Sequence, residues 1–443
     1  MRLIKVIIGF GVLIFSAGLL FSQSLPASPP GSFNKYTTVQ LIHPILVDKF
    51  YSINQQELFW FSTGEQSSLL RLALKNGIDS SASIGLDKTK YHYADLAENM
   101  AVSFSSTDSF EAMAKDRIFT DIAIAYCKDI YQGINISSWI NADEISSKYA
   151  EADNNYILDK LVTITSDLSL RQFLNSLEPK EKEYQLLKAE LQQRFSTGIT
   201  DSAKPLTTSL HLFRWIQHFH IGKYIVVNIP SATLKYYEND TLKLKMKVVL
   251  GKPSTRTPRF AAYCNQIILY PYWNVPRKIM LNEFFPLFKK SPDLIAKMNM
   301  QVVDEQGKII NPDTLNWPLY DKTNFPYRIR QSGGCDNALG VIKFNLTSPY
   351  DIYMHDTNLK SAFQSAYRYY SHGCIRLEKP VELGNYLLNG QLDSAYLQSC
   401  LKDQKPITLE LKKPVPVFVV YRSVEINEAD KVEYYKDLYG LLK

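Results

Sequence analysis

The segment from Tyr350 to Leu377, YDIYMHDTNLKSAFQSAYRYYSHGCIRL, holds the residues best suited to covalent chemistry. A cysteine attacks a carbonyl carbon as its thiolate, so a nucleophilic thiol needs a base within hydrogen-bond reach. If Asp351 to His355 is a strand, alternation sets Tyr353 and His355 on one side and turns Ile352 and Met354 to the core. A helix capped by Asp356 or Thr357 and running to about Tyr370 would then return the chain through Ser371-His372-Gly373 to Cys374. That path lets the imidazole of His355 meet the thiol of Cys374. Gly373 lets the backbone turn sharply, so that the amides around the nucleophile can converge on an oxyanion. One such donor is typically worth roughly 3 kcal/mol of barrier. Arg376, two positions past the thiol, shares its side if the backbone is extended. It either pairs with a carboxylate or a backbone carbonyl or forms a structural ion pair.

These residues need a sheet to hold them, and the second half of the chain supplies one. Tyr224 to Ile229 is β-branched and apolar, and Thr241 to Val248 alternates Leu242, Leu244 and Met246 with Lys243, Lys245 and Lys247 after the turn residues Glu238-Asn239-Asp240. Further strands are expected at Gln266 to Leu269, Gly340 to Leu346 and Pro416 to Tyr421. Between Trp273 and Tyr327 prolines punctuate helix formers, which marks an inserted subdomain or flap. Val39 to Phe219 reads as helical, with Ile118, Ile122, Ala125 and Tyr126 at helical spacing before Gly133, and Tyr184, Leu187, Leu191 and Phe195 on one face after Pro179. Ser196 to Ser209 has the composition of a linker.

The chain has 443 residues, 45% of them apolar and 21% charged, which excludes a disordered polymer and allows two or three domains. Its formal charge of +6 falls to +4 once Arg2 and Lys5 are set aside, too mild to point to nucleic acid. Met1 to Lys5 is basic, Val6 to Phe21 is almost wholly apolar, and Ser22 to Ser32 is polar and proline-rich, the pattern of a secretory leader. The expectation is an exported, periplasmic protein, with an uncut leader anchoring it in the inner membrane as the alternative. Five cysteines leave at least one thiol unpaired, and none are spaced as a redox pair or zinc ribbon. Cys127 and Cys400 read as inert and buried, while Cys335 is a candidate partner for Cys264. His218 and His220 lack the H-E-x-x-H context of a zinc peptidase and read as buried aromatic neighbours, so no metal or other cofactor is expected.

His355 followed by Ser371-His372-Gly373-Cys374-Ile375-Arg376 resembles the active-site signature of the L,D-transpeptidase (YkuD-like) family of cell-wall enzymes. Val227-Asn228-Ile229-Pro230, Val249 to Pro253, Pro271 to Pro276, Asn337-Ala338-Leu339-Gly340 and Pro414 to Tyr421 extend the likeness to the long periplasmic members, over about Trp215 to Gly440. The resemblance implies an α+β protein: a leader over 1–22, a helical scaffold over 23–210, a mostly β catalytic domain over 211–411 with a capping flap inserted at about 276–326, and a C-terminal strand segment over 412–443 packing on it. It also implies that Cys374 is the nucleophile, His355 the base, and the Gly373 and Cys374 amides the oxyanion hole. A backbone carbonyl, rather than Asp356, is expected to orient the histidine. Tyr353, His372, Arg376, Ser371 and Trp273 are candidates for substrate contact or for support of the residues that make it. Tyr353 either donates its hydroxyl into the site or packs there, and Trp273 and Tyr272 either line the donor groove or anchor the flap. The small peptidoglycan-binding module common in long members has no room here.

The implied reaction joins two peptidoglycan stem peptides. Cys374 attacks the carbonyl of the donor's third residue, expels D-alanine, and passes the acyl group to the side-chain amine of the acceptor's third residue. Carbapenem-type inhibitors are expected to acylate the same sulfur. Water in place of the amine would make the protein an L,D-carboxypeptidase or a crosslink hydrolase. A wall-binding scaffold without catalysis is the third reading, disfavoured by an exposed thiol kept beside a histidine.

Overall fold

The computed structural model describes residues 39–104, 109–134, 136–198 and 203–442; the leader expected over 1–22 lies outside them. The first part of the chain is helical, through Pro44–Ile53, Glu65–Asp79, Ser109–Gln132, Asp143–Val162, Asp167–Leu177, Lys182–Ser196 and Ala203–Gln217. The longest of these stops at Gly133, whose φ of 75° suits glycine, and where a Cβ would come within 2.5 Å of the His211 carbonyl oxygen. Glycine there both ends the helix and admits the last helix. Asp116, fully buried, accepts hydrogen bonds from the amides of Phe59, Trp60 and Phe61 at 2.8–3.0 Å, so one carboxylate fixes a turn with no helix of its own.

The stretch expected as a linker is instead helical from Ala203 onward. Pro205 falls in the first turn, where its missing amide costs nothing, and Leu206, Leu210 and Phe213 pack on Tyr184, Leu187 and Leu191. Phe195, expected on that face, is exposed. The boundary expected at 210/211 falls inside this last helix. Its far end continues into the sheet: Leu212, Trp215, Ile216 and Phe219 share a core with Tyr224, Val226, Phe418 and Val420. Scaffold and sheet are therefore packed as one body from Leu41 onward.

The strands in chain order are β1 (Lys223–Asn228), β2 (Thr233–Glu238), β3 (Thr241–Gly251), β4 (Phe260–Leu269), β5 (Trp273–Asn274), β6 (Met300–Val303), β7 (Ile309–Ile310), β8 (Arg328–Gln331), β9 (Ile342–Leu346), β10 (Met354–His355), β11 (Tyr369–Ser371), β12 (Ile375–Leu377) and β13 (Ile407–Val420). The main sheet runs β11-β3-β12-β10-β9-β4-β13-β1-β2, and β2 also pairs with β3, which closes the sheet into a barrel. Alternating side chains such as Ile225, Val227, Leu244, Met246, Phe344, Met354, Ile375, Val417 and Val419 fill its interior. β13 runs through the boundary expected at 411/412 and lies between β4 and β1, so residues 412–420 belong to a central strand, and the rest of the expected C-terminal segment includes a hairpin of Val424–Ile426 with Val432–Tyr434.

β5 to β8 form a separate four-stranded sheet, order β5-β8-β6-β7, around Met280, Phe285, Phe288, Trp317, Phe325 and Ile329. This is the expected capping insertion, with a core of its own. The helix expected between Asp356 and Tyr370 is absent; a 3₁₀ turn at Lys360–Gln364 and then β11 replace it. The reason is that Leu250 on β3 takes the Arg368 carbonyl at 2.9 Å and the Tyr369 hydroxyl reaches the Pro230 carbonyl at 2.6 Å, so strand pairing claims residues whose local preference was helical.

Cys335 pairs with Cys400, not with Cys264, and Cys400 is accordingly not an inert thiol. Cys264 points into the barrel, fully buried, where loss of water pushes its thiol up to about 12. The bridge closes a loop of 65 residues. By chain entropy, replacing both cysteines with Ser is expected to cost about 4 kcal/mol, read as a lower denaturation midpoint. An unchanged midpoint would show that the bridge carries none of the stability.

Candidate active site

β10 is only two residues long but lies between two strands, antiparallel to β9 and parallel to β12, with Met354 opposite Ile375 and His355 opposite Arg376. Met354 and Ile375 are fully buried in the barrel. Their neighbours therefore face the other way, so Tyr353, His355, Cys374 and Arg376 occupy one face of adjacent strands. The rings of Tyr353 and His355 lie 5.5 Å apart.

His355 Nδ1 donates to the backbone carbonyl of Asp356 at 2.5 Å, which fixes the tautomer and leaves Nε2 as the acceptor. The Asp356 carboxylate is used elsewhere: it accepts from Lys360 Nζ and, at 3.1 Å, from the Val341 amide. Burial, assisted by the charges of Arg376 and Lys343, lowers the imidazole pKa to about 3. His355 is thus a neutral base at any ordinary pH.

The turn before Cys374 is held from three sides. Ser371 Oγ donates to the Cys374 carbonyl at 2.7 Å and accepts from the Gly373 amide at 3.1 Å, while Thr257 Oγ1 donates to the Gly373 carbonyl at 2.8 Å. Gly373 has φ 121°, a conformation natural to glycine, and a Cβ there would meet Ile352 Cδ1 at 3.0 Å. These bonds correct one expectation. The Gly373 amide is engaged by Ser371, so of the two expected oxyanion donors only the Cys374 amide is without an acceptor among the described residues.

The Cys374 thiol rests against the Asp351 carbonyl, Sγ to O 3.8 Å. Burial raises its pKa; the amide and hydroxyl of Tyr353 oppose this by hydrogen bonding to the sulfur, and the charges of Lys343 and Arg376 pull the same way. The net shift is upward. Thiol and imidazole are therefore both neutral at rest. The Tyr353 ring packs between the His355 ring and the Lys343 ammonium.

Arg376 shows no ion pair among the described residues, and its Nε is buried without an acceptor. The structural ion pair considered for it is not formed, and the guanidinium is free to take a ligand. His372 is exposed, and its Nε2 lies 2.9 Å from Glu283 of the capping insertion, so it links turn to cap rather than touching the sulfur. Trp273 pairs with β8 and sets its ring edge-on to Phe284 at 5.7 Å, anchoring the insertion. His218 sits 3.4 Å from Asp153, whereas His220 is exposed; the described residues hold no cluster of metal-ligating side chains.

Lys343 went unrecognised in the sequence because it looks like any polar residue of an alternating strand. It stands opposite His355 across the β9–β10 pair, and its ammonium lies 4.1 Å from the centre of the Tyr353 ring with no carboxylate partner among the described residues. Burial lowers its pKa, and the Cys374 sulfur is the charge that raises it. Lys343→Met is expected to slow alkylation of Cys374 at neutral pH roughly 10-fold, with most of the rate regained at higher pH. A pH–rate profile identical to wild type would remove Lys343 from the site.

With that geometry established, the chain can be compared with known proteins. A model of the L,D-transpeptidase catalytic domain (YkuD) matches residues 222–415, and a model of a scaffold domain matches residues 46–191. A Haemophilus influenzae protein provisionally named an L,D-transpeptidase is 30% identical over 355 residues, covering 76% of this chain and 70% of that protein. Among solved structures, an L,D-transpeptidase from Mycobacterium smegmatis aligns with 14% identity and a TM-score of 0.21 over 45% of this chain and 58% of that one. L,D-transpeptidase 1 from Mycobacterium tuberculosis aligns with 15% identity and a TM-score of 0.17 over 45% of this chain and 61% of that one. The chain spans less than two thirds of either structure, and overlays this loose carry no argument.

Proposed function

The chain belongs to the L,D-transpeptidase family, and from that premise we propose that it is a cysteine acyltransferase joining peptidoglycan stem peptides through their third residues. The observation that carries the reading is the β10–β12 register, which sets a neutral imidazole of fixed tautomer one position along from a partly exposed thiol.

His355 Nε2 takes the thiol proton as Sγ forms a bond to the carbonyl carbon of the donor's third residue. The oxyanion that develops accepts from the Cys374 amide. Collapse breaks the bond to D-alanine, whose amine leaves with the proton held by His355, and a thioester remains. The acceptor's side-chain amine then adds to the thioester and gives its proton to His355, and the sulfur departs as the peptide bond forms. Nucleophile and base are regenerated. The thioester carries the energy of the first bond into the second, so no nucleotide is consumed. Arg376, with its unfilled Nε, is placed to hold a carboxylate of the donor stem. On this reading the N-terminal leader exports the protein to the periplasm, where its substrate lies.

Incubation with disaccharide tetrapeptide tests the proposal. Crosslinked dimer and free D-alanine are expected in equal amounts. Tripeptide without dimer would replace the transferase by a hydrolase, and neither product would leave a wall-binding scaffold.

A further inference from the structure

One cavity, of about 490 Å³, is not part of the face that carries His355 and Cys374. It opens at the seam between scaffold and barrel, and its wall includes Trp139, Asp143, Arg256, Arg259, Tyr350 and Tyr439. Two guanidinium groups in one cavity would normally be neutralised. Here neither Arg256 nor Arg259 makes an ion pair among the described residues, and Arg259, half-buried, has no hydrogen-bond acceptor for its side chain. Asp143 lies exposed on the same wall, yet no oxygen of its carboxylate comes within 4.0 Å of either arginine. Burial lowers the Arg259 pKa, the mark of a cation short of a counter-charge.

The cavity adjoins the nucleophile from behind the turn. Tyr350 precedes Asp351, whose carbonyl receives the Cys374 thiol, and the absent side chain of Gly373 would point toward the Arg256 carbonyl at 3.7 Å. His372, the next residue back, points instead to Glu283 on the cap. The turn thus separates two regions, one walled by the capping insertion and one walled by scaffold residues 139–143. A two-substrate acyl transfer needs a place for each stem. A stem peptide carries free carboxylates, and a carboxylate held by guanidinium groups with aromatic rings beside it fits this wall.

We propose that the Arg256–Arg259 cavity binds a carboxylate of the acceptor stem, so that the scaffold supplies part of the acceptor site. The inference rests on the transpeptidase reading for the identity of the ligand, and its test is kept separate from that reading. The full chain carrying Cys374→Ala, which cannot turn over, is titrated calorimetrically with disaccharide tripeptide and with the same compound amidated at its carboxylates. Adding Arg259→Gln is expected to weaken tripeptide binding roughly 10-fold or more, whereas Arg259→Lys retains most of it and the amide binds weakly to every variant. Arg256→Gln, at an exposed position, gives a second reading should Arg259→Gln unfold. With Cys374 intact, Arg259→Gln is expected to be acylated by a carbapenem at the wild-type rate. Equal binding of tripeptide and amide, no effect of either arginine substitution, or no binding of tripeptide at all would overturn the proposal. Failure of the transpeptidase reading would appear differently, as absence of dimer from the wild-type chain while charge-dependent binding persists.

Discussion

His355→Gln is expected to slow acylation of Cys374 by a carbapenem about 10³-fold at neutral pH, the scale of a lost general base. The expectation follows from two pKa directions. Burial raises the thiol, so little thiolate exists without help, and burial lowers the imidazole to about 3, so the base is present at all times. In the wild-type chain the rate should show no acid limb from the imidazole until pH approaches about 3, because Nε2 stays unprotonated above it. In His355→Gln only the direct thiolate route remains, and the rate should climb tenfold per pH unit as the thiol ionises. The ratio between the two proteins therefore shrinks on going alkaline. Equal rates at neutral pH, or a wild-type limb near the ordinary histidine pKa, would show that His355 does not serve as the base.

Stability is expected to fall steeply between pH 6.5 and 4.5, and the cause is again buried neutral histidine. His355 and His211 both have folded pKa values of about 3 against 6.5 for the free side chain, each through burial first and neighbouring cations second. Below 6.5 the unfolded chain binds a proton at each site that the folded chain refuses, so the unfolded state gains as pH drops and the loss continues to about pH 3. Over these two pH units each histidine can contribute up to roughly 3 kcal/mol. Glu425, lowered to about 2 by Lys235 and Arg422 against the pull of its burial, adds its own loss only below its unfolded value of 4.5; His43, lowered by burial, adds to the fall, and Asp116, Asp129 and Glu181, raised by burial, oppose it. Urea midpoints across this window should drop, and His211→Leu should flatten the slope without altering the catalytic face. A midpoint constant from pH 6.5 to 4.5 would contradict the neutral assignment of both rings.

Much of the catalytic geometry was legible because it depends on one short-range rule. Strand alternation placed Tyr353 with His355 and Cys374 with Arg376, and the barrel buried Met354 and Ile375 as that rule demands. The orienting carbonyl of His355 was also anticipated, from family resemblance. What escaped was set by partners distant in sequence. Residues 366–371 have no local reason to be a strand until β3 offers its edge. The polar composition of 196–209 hid Leu206 and Leu210, whose burial depends on a helix that precedes them. Cysteine pairing is a question of which side chains meet, and Cys264 faces the barrel interior while Cys335 lies beside Cys400. The Gly373 amide was counted as free because nothing in the sequence says that Ser371 would reach across the turn to take it. Lys343 has the same limitation, since its importance lies wholly in being opposite His355.

The mass of the intact protein after exposure to a carbapenem, followed by peptide mapping, tests the central claim most directly. One adduct is predicted, on Cys374 and absent from Cys374→Ala, with Cys127 and Cys264 unlabelled because both are fully buried. No adduct on the wild-type chain, or one that survives Cys374→Ala, would contradict the account.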